Sequence, residues 1–231
     1  MSDEQTRLNK YLALHLGIAR READNLIERG RVRVNHIPAR LGQRIEPDDA
    51  VTVDDKPLSV DNSEFIYLAL NKPIGFVCSR RAQAEGARTI YELLPPKYQH
   101  LKSVGRLDRD SSGLILLTND GDFAHQMTHP SFTKMKIYEV QLNHQLEPLH
   151  QQMISDHGIQ LIDGHSQLSL ERMFDDSRYN WRVIMHEGRN RQIRRTFSAL
   201  GYTVEKLHRT NFGKYALGDI KPGEFQIINI Q

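Results

Sequence analysis

Four consecutive apolar residues, Leu114-Ile115-Leu116-Leu117, stand between a charged turn and an Asn119-Asp120-Gly121 turn. That enclosure constrains the fold more than any other feature of the chain, because a short apolar run bounded by turns reads as an interior strand, Leu114 to Thr118. The charges just upstream, Arg106, Asp108, Arg109 and Asp110, are thereby placed at the rim of a sheet, where sites are commonly built. Asp108 is flanked by Arg106 and Arg109, either of which can stabilise its ionised form and suit it to act as nucleophile or base. Local chemistry alone favours a plainer reading, a polar hairpin entrance with surface ion pairs, since structural pairs also perturb carboxylates.

The chain has 231 residues, enough for one large domain or two smaller ones. With 39% hydrophobic and 26% charged residues it has the composition of a soluble globular protein. Apolar runs end after about four to six residues, far short of the roughly 20 that cross a bilayer. The first residues, Met1-Ser2-Asp3-Glu4-Gln5, are polar and acidic, so no secretory signal is expected. A lone Cys78 excludes an intramolecular disulfide and a cluster of zinc thiolates. The cytoplasm is the expected compartment, without membrane association.

A net charge of +2 says little, but its distribution says more. From Arg7 to Arg44 nine basic residues face three acidic ones, and from Glu46 to Glu64 Lys56 alone faces seven acids. A second basic cluster, Arg189, Arg191, Arg194, Arg195, Lys206, Arg209 and Lys214, comes near the end. Two separated basic faces on a nearly neutral chain point to a polyanionic partner met at two places.

Leu8, Tyr11, Leu12 and Leu16 recur at helical spacing, with Gly17 as the stop. A second helix is expected from about Arg20 to Arg29, with Gly30 as its stop. Arg31-Val32-Arg33-Val34-Asn35 alternates charge and valine and predicts a half-exposed strand before an Asn-His turn. The segments Arg7-Leu8-Asn9-Lys10-Tyr11-Leu12, Ala19-Arg20-Arg21-Glu22-Ala23-Asp24 and Gly30-Arg31-Val32-Arg33-Val34-Asn35 together resemble the S4 RNA-binding domain. The resemblance makes Arg7, Lys10, Arg20, Arg21, Arg31 and Arg33 candidates for phosphate contacts, acids being too scarce in the same stretch to pair with them. This module is expected to occupy residues 1–60, with residues 61–64 as a linker.

Further on, Phe65 to Leu70 predicts a buried strand and Asn71-Lys72-Pro73-Ile74-Gly75 a turn. Residues 82–88 read as a loop, and Ile90 to Leu94 as a short helix ended by Pro95-Pro96. A helix is expected at Asp122–Met127 and another at Glu147–Ile154. Strands are expected at Ile137–Leu142, Gln167–Phe174 and Asn180–Met185. His125 and His129 are four apart, but no acidic ligand is spaced to complete a metal site. A turn from His186 leads into a helix with the apolar stripe Ile193, Phe197 and Leu200. Arg191, Arg194 and Arg195 crowd the start of this helix, where the dipole disfavours cations, so an anion is expected there, either Asp108 or RNA phosphate.

Gly105-Arg106-Leu107-Asp108-Arg109-Asp110-Ser111-Ser112-Gly113-Leu114, continued to Thr118-Asn119-Asp120-Gly121, resembles the signature of the RsuA-type pseudouridine synthases. Asn71-Lys72-Pro73-Ile74-Gly75, Lys136-Ile137-Tyr138, Glu187-Gly188-Arg189-Asn190-Arg191-Gln192-Ile193-Arg194-Arg195 and Lys206-Leu207-His208-Arg209 resemble its other motifs in order. The resemblance implies an α+β catalytic domain over residues 65–231, built on a mixed, largely antiparallel sheet and preceded by the small S4 domain. It implies isomerisation of a uridine to pseudouridine in ribosomal RNA, more readily 23S than 16S, by a monomer without cofactor or metal. Asp108 is then nucleophile or base, Arg194 its ion-pair partner, and Tyr138 the residue that stacks on uracil. Arg106 would hold the flipped nucleotide's backbone, and Lys72, Lys136 and Leu207 would contact substrate, with Leu207 lining the uracil pocket. Arg189, Arg191 and Arg195 would meet RNA alongside the amino-terminal cations.

Two other classes remain open at this point. A non-catalytic S4-type RNA-binding or ribosome-assembly protein would share the amino-terminal half, but would have no need of Asp108, Tyr138 and Arg194 together. A glycoside hydrolase using Asp108 and Asp110 would need two carboxylates serving one cleft, and no aromatic sugar platform accompanies them.

Overall fold

The computed structural model describes residues 5–58, 64–80 and 86–230. Residues 61–63 of the expected linker, the expected close of the first module near Val60, and residues 82–85 of the expected loop lie outside them. The chain forms two compact units, the first comprising the residues up to Ile66 together with His100–Lys102 and Thr118–Gly121, the second the remainder.

In the first unit α1 (Leu8–His15) and α2 (Arg20–Glu28) bury Leu8, Leu12, Ala23 and Ile27 in one core. Gly17 and Gly30 follow the helices at φ +67° and +68°, the left-handed stop that glycine enters at least cost. Strand β1 (Val32–Val34) buries both valines and exposes Arg33. It pairs antiparallel with β2 (Ile37–Pro38) and β3 (Val51–Val53), and β3 pairs with β4 (Lys56–Pro57). Asn35 and His36 join β1 to β2, both at positive φ, the turn that matches the twist of a hairpin.

The second unit is built on a nine-stranded sheet. In chain order its strands are β5 (Tyr67–Lys72), β6 (Lys102–Val104), β7 (Ser112–Thr118), β8 (Lys136–Leu142), β9 (Ser169–Phe174), β10 (Ser177–Met185), β11 (Val204–Phe212), β12 (Tyr215–Ala216) and β13 (Phe225–Ile227). Across the sheet they run β9-β10-β8-β11-β7-β5-β13, with β6 beside β7 and β12 beside β11. Strand β7 lies parallel to β11, whereas β8 is antiparallel to both β10 and β11. Helices α3 (Gly121–Thr128), α4 (Pro148–Gln152) and α5 (Gln192–Ser198) complete the unit. The expected class, α+β on a mixed and mostly antiparallel sheet, is the observed one. Leu114 to Thr118 is indeed an interior strand, buried at every residue.

Several boundaries differ from expectation, among them the start of β9 at Ser169 and of β10 at Ser177. Strand β5 starts at Tyr67, leaving Phe65 exposed, and runs on through Asn71 and Lys72. The carboxyl-terminal strand explains this extension. It takes Leu68 to Leu70 into a ladder, and Asn71 exchanges backbone hydrogen bonds with Glu224 and Gly223. Helix α4 is shorter than expected and unwinds into a π-turn at Met153–His157. The short helix at Ile90–Leu93 is a 3-10 turn, held by reciprocal capping between Thr89 and Glu92.

Candidate active site

The turn bearing Asp108 is fastened from behind by the Asn71–Gly75 segment. Lys72 is fully buried, and its ammonium donates to the carbonyl oxygens of Ser111 (2.6 Å) and Pro73 (3.1 Å). Burial pushes its pKa down, while Cys78, Asp108 and Asp110 oppose that shift. Gly75, at φ +94°, donates its N–H to the carbonyl of Arg109 at 2.7 Å. The Leu107 amide donates to the Cys78 sulfur at 3.4 Å, and the Ser111 amide to the Asp108 carbonyl at 3.1 Å. Every one of these bonds holds backbone, so the Asp108 carboxylate is left to face outward. Lys72, expected to contact substrate, is instead committed to this fastening, because burial beneath the turn puts its ammonium out of solvent.

The strand that follows the turn approaches its neighbour closely. Gly113 lies opposite Arg209 at φ +105°, and a Cβ there would overlap the Arg209 carbonyl oxygen and come within 2.5 Å of its amide nitrogen. Only glycine lets β7 and β11 meet here. Their meeting lets the Arg209 guanidinium donate to the Leu114 carbonyl at 2.8 Å. Across β11, β8 carries Tyr138 opposite Arg209, and the register shifts between Ile137 and Tyr138. Such bulges re-aim side chains beside sites.

The arginine assignments change. Arg191 Nη1 stands 3.4 Å from Asp108 Oδ2, and its two terminal nitrogens each donate to Asp110 at 3.0 Å. Arg191 holds φ +48° just before α5, a strained backbone for a non-glycine residue. The fork it makes with Asp110 anchors it there. The Arg191 hydrogen bonds hold the Asp110 carboxyl below the usual carboxylate range, with Arg194 adding to the effect against partial burial. Arg194, expected to pair with Asp108, donates to the carbonyls of Val204 (2.7 Å) and Asp110 (2.8 Å) and to the Ser111 hydroxyl (3.4 Å). Its Nε lies 3.4 Å from Asp110 Oδ2. The pairing of Arg194 with Asp108 is therefore corrected. Arg191 makes the ion pair with Asp108, and Arg194 ties α5 to the Asp108 turn and to the start of β11.

Beside Asp108 opens a cavity of about 300 Å³, at the small end of the range for ligand sites. Its apolar lining includes Leu107, Tyr138, Met185, Ile193, Leu207 and Phe212. Tyr138, Ile193 and Leu207 belong at the same time to the main core, so the floor is packed. The charged lining is Arg106, Lys136, Arg189, Arg191 and Arg209, and among the described residues lining it Asp108 is the only acid. The Asp108 side chain is 33% exposed. Lys136 donates to the Glu187 carbonyl at 3.0 Å, and burial, then Arg209, pushes its pKa down. Arg209 is 2% exposed, lies over the Phe212 ring at 4.8 Å and leaves Nη2 without a hydrogen-bond partner among the described residues. A flat, partly polar ring fits such a slot, with a carboxylate at one edge and cations disposed for phosphate.

The structure thus brings together Asp108, Tyr138, Arg106, Lys136, Leu207, Arg189 and Arg191 at one cavity. Arg195 is not among them. It bonds Asp163, and Arg189 bonds Asp163, Glu187 and the His165 carbonyl. Both arginines therefore also make internal ion pairs, with a hairpin whose carboxylate no local spacing announces. In the first unit Arg31 pairs with Asp54 and Arg33 with Asp55, so the scarcity of acids near these arginines is misleading. The acids arrive from the turn after β3. Arg20 donates to Asn9, and Arg7 and Arg21 are exposed and make no ion pair among the described residues. Local sequence does not single out Arg209 and Phe212 as cavity residues. Arg209 alternates with Leu207 along one strand, which is the available signal for it, whereas Phe212 falls outside that alternation. The rings of His125 and His129 meet with centroids 4.7 Å apart, and among the described residues no group of three or more potential metal ligands forms.

The model of the RNA pseudouridylate synthase family matches residues 66–199, and that of the S4 domain matches residues 6–51. An uncharacterized RNA pseudouridine synthase of Mycobacterium tuberculosis is 38% identical over 229 residues, covering 96% of this chain and 89% of the relative. The ribosomal large subunit pseudouridine synthase B of Bacillus subtilis is 34% identical over 224 residues, covering 94% and 90%. A crystal structure of a pseudouridylate synthase superposes with a TM-score of 0.68 at 32% identity, covering 96% of each chain. Fold, cavity and relatives agree on the class, an S4-domain isomerase acting on RNA. The chain belongs to the RNA pseudouridylate synthase family.

Proposed function

We propose that the protein converts a specific uridine of ribosomal RNA, more readily of the large subunit than of the small, to pseudouridine. The observation that carries this reading is Asp108, the one acid among the described cavity-lining residues, exposed at the mouth of a slot walled by cations. Two relatives named for large-subunit rRNA support the choice of subunit. The target base leaves its stack, at a cost of a few kcal/mol, and enters the cavity over Leu207 with Tyr138 against its face. Arg106, exposed at the rim, holds the backbone of the extruded nucleotide.

Asp108 attacks either C6 of the uracil or C1′ of the ribose. The C1′–N1 bond breaks, the base turns in place, C5 bonds to C1′, the C5 proton is lost as N1 gains one, and the bond to Asp108 is broken again, returning the free carboxylate. Nothing is oxidised and no group is donated, so the reaction calls for no cofactor. Asp110 takes the shorter bonds from Arg191, which leaves Asp108 an oxygen available for bond formation. A buried Tyr138 beside C5 is placed to relay that proton. We take the enzyme to act as a monomer in the cytoplasm, with the S4 domain gripping the same RNA. Mapping pseudouridines in both rRNAs from cells with and without the protein tests the reading. Loss of one modified position in 23S rRNA is expected, and unchanged maps would refute it.

A further inference from the structure

At the edge of the catalytic cavity the segment from the end of α3 to the start of β8 displays three exposed aromatic rings. His125 and His129 have ring centroids 4.7 Å apart, and Phe132 meets them edge-on at 6.0 and 6.3 Å. Phe132 is 43% exposed although nothing polar tips its ring, and Met135 beside it is 38% exposed. The Lys134 ammonium lies 5.9 Å from the centre of the Phe132 ring.

The segment is also held rigid. His129 and Phe132 bond back to the carbonyls of His125 and His129, Thr133 turns left-handed at φ +40°, and the Met135 carbonyl accepts from Gly213 at 2.7 Å. His129 Nδ1 accepts from the Ser131 amide at 3.3 Å and lies 2.7 Å from the Ser131 hydroxyl, which fixes the ring.

A groove of about 790 Å³ runs from this segment and shares Thr128, Lys136, Met185, Gly188 and Arg189 with the catalytic cavity. Its cations are Lys134, Lys136 and Arg189, and its acids are Asp156 and Glu187, the latter bonded to Arg189. An exposed aromatic face that is pre-set, next to a lysine and continuous with a base pocket, is the surface on which unpaired nucleotides stack.

We propose that Phe132, with His129 and His125, is a stacking site for the base of a nucleotide adjoining the flipped uridine, and that Lys134 holds the phosphate between them. This rests on the reading of the cavity as a uridine site and adds the occupant of its neighbour. It gives the extruded strand a second foothold, offsetting the stacking lost when the target base leaves the helix.

The full-length protein and a fluorescein-labelled oligouridylate test the site by fluorescence anisotropy, with circular dichroism to check folding. Phe132→Ala should weaken binding by about 5- to 150-fold, the worth of one base stack. Phe132→Trp should retain binding, and Lys134→Ala should lower the dependence of log K on log salt by about 0.7. Phe132→Leu, which keeps an apolar side chain but no ring, serves where alanine unfolds the protein. On rRNA stripped from cells lacking the protein, Phe132→Ala should raise KM by the same factor while kcat holds. If the folded alanine and leucine variants bind and convert as the wild type does, the stacking site is overturned and the reading of function stands. If the wild type converts nothing in rRNA, that reading fails, and affinity for oligouridylate still decides the stacking site.

Discussion

Asp108 and Asp110 share Arg191, and Asp110 holds it closer than Asp108 does, at 3.0 against 3.4 Å. Asp108→Asn keeps the shape and removes the nucleophile, so it should abolish conversion while folding and RNA affinity persist. Turnover above a few per cent of wild type, in a tritium-release assay, would take the role from Asp108. The two arginines should separate in the same assay. Arg191→Ala removes the only hydrogen-bond donor the described residues give the Asp108 carboxylate and should cut the single-turnover rate with little change in thermal stability. Arg194→Ala strands two backbone carbonyls, and by the cost of buried unsatisfied groups it should destabilise by about 1 to 3 kcal/mol. Equal loss of stability in both variants would contradict this division. Asp110 supplies a pH signature. Its folded pKa is depressed, so its contribution is present above the unfolded value of 3.8 and fades as pH falls through the lower folded one. Half-exposed as it is, Asp110→Asn should cost no more than about 1 kcal/mol at neutral pH. In urea titrations that difference should shrink progressively as pH falls below 3.8.

Among the elements, the parallel meeting of β7 and β11 is the most demanding approach, because Gly113 leaves no room for a side chain against Arg209. Gly113→Ala must part the two strands and with them Asp108 from Leu207. A loss above about 4 kcal/mol in chemical denaturation is expected, the range of severe backbone clashes. Gly121→Ala is the control. It starts α3 with nothing within 4 Å of the added Cβ, and should be neutral or stabilising by about 0.4 to 1 kcal/mol. Comparable losses in the two variants would show that the close approach is not what requires glycine. The Lys72 fastening belongs to the same scale. A methionine there fills the space but frees the Ser111 carbonyl, so kcat should fall more than KM changes.

Across the whole molecule, affinity and chemistry are carried by different units. Arg31 and Arg33 are engaged by Asp54 and Asp55, so the phosphate contacts of the first unit are counted at about four of its six candidate cations, Arg7, Lys10, Arg20, Arg21, Arg31 and Arg33. Every phosphate that the protein no longer neutralises lowers the slope of log K against log salt by about 0.7 to 0.9, so deleting residues 1–60 should lower it by about 3. Single-turnover conversion at saturating RNA should survive, since the cavity and its core lie in the second unit. An unchanged slope would mean the basic face has another partner.

Much of this architecture is written locally. Short apolar runs between turn residues place β7, β8 and both amino-terminal helices, because period and punctuation act over a few neighbours. The spaced motifs carry Asp108, Tyr138 and Leu207 to one site for the same reason, each lying on or beside a strand whose pattern is legible. What the local pattern could not supply is the choice of partner for each charge. Arg191, Arg194 and Arg195 fall within one turn of chain, yet they end on Asp108 and Asp110, on backbone carbonyls, and on Asp163. Arg31 and Arg33 find acids 23 and 22 residues away across a hairpin, and Lys72 disappears beneath the turn it fastens. Periodicity is a property of neighbours along the chain, and it suffices to set the elements. An ion pair depends on distances between segments, which exist only after packing, so it is folding that selects which arginine faces Asp108.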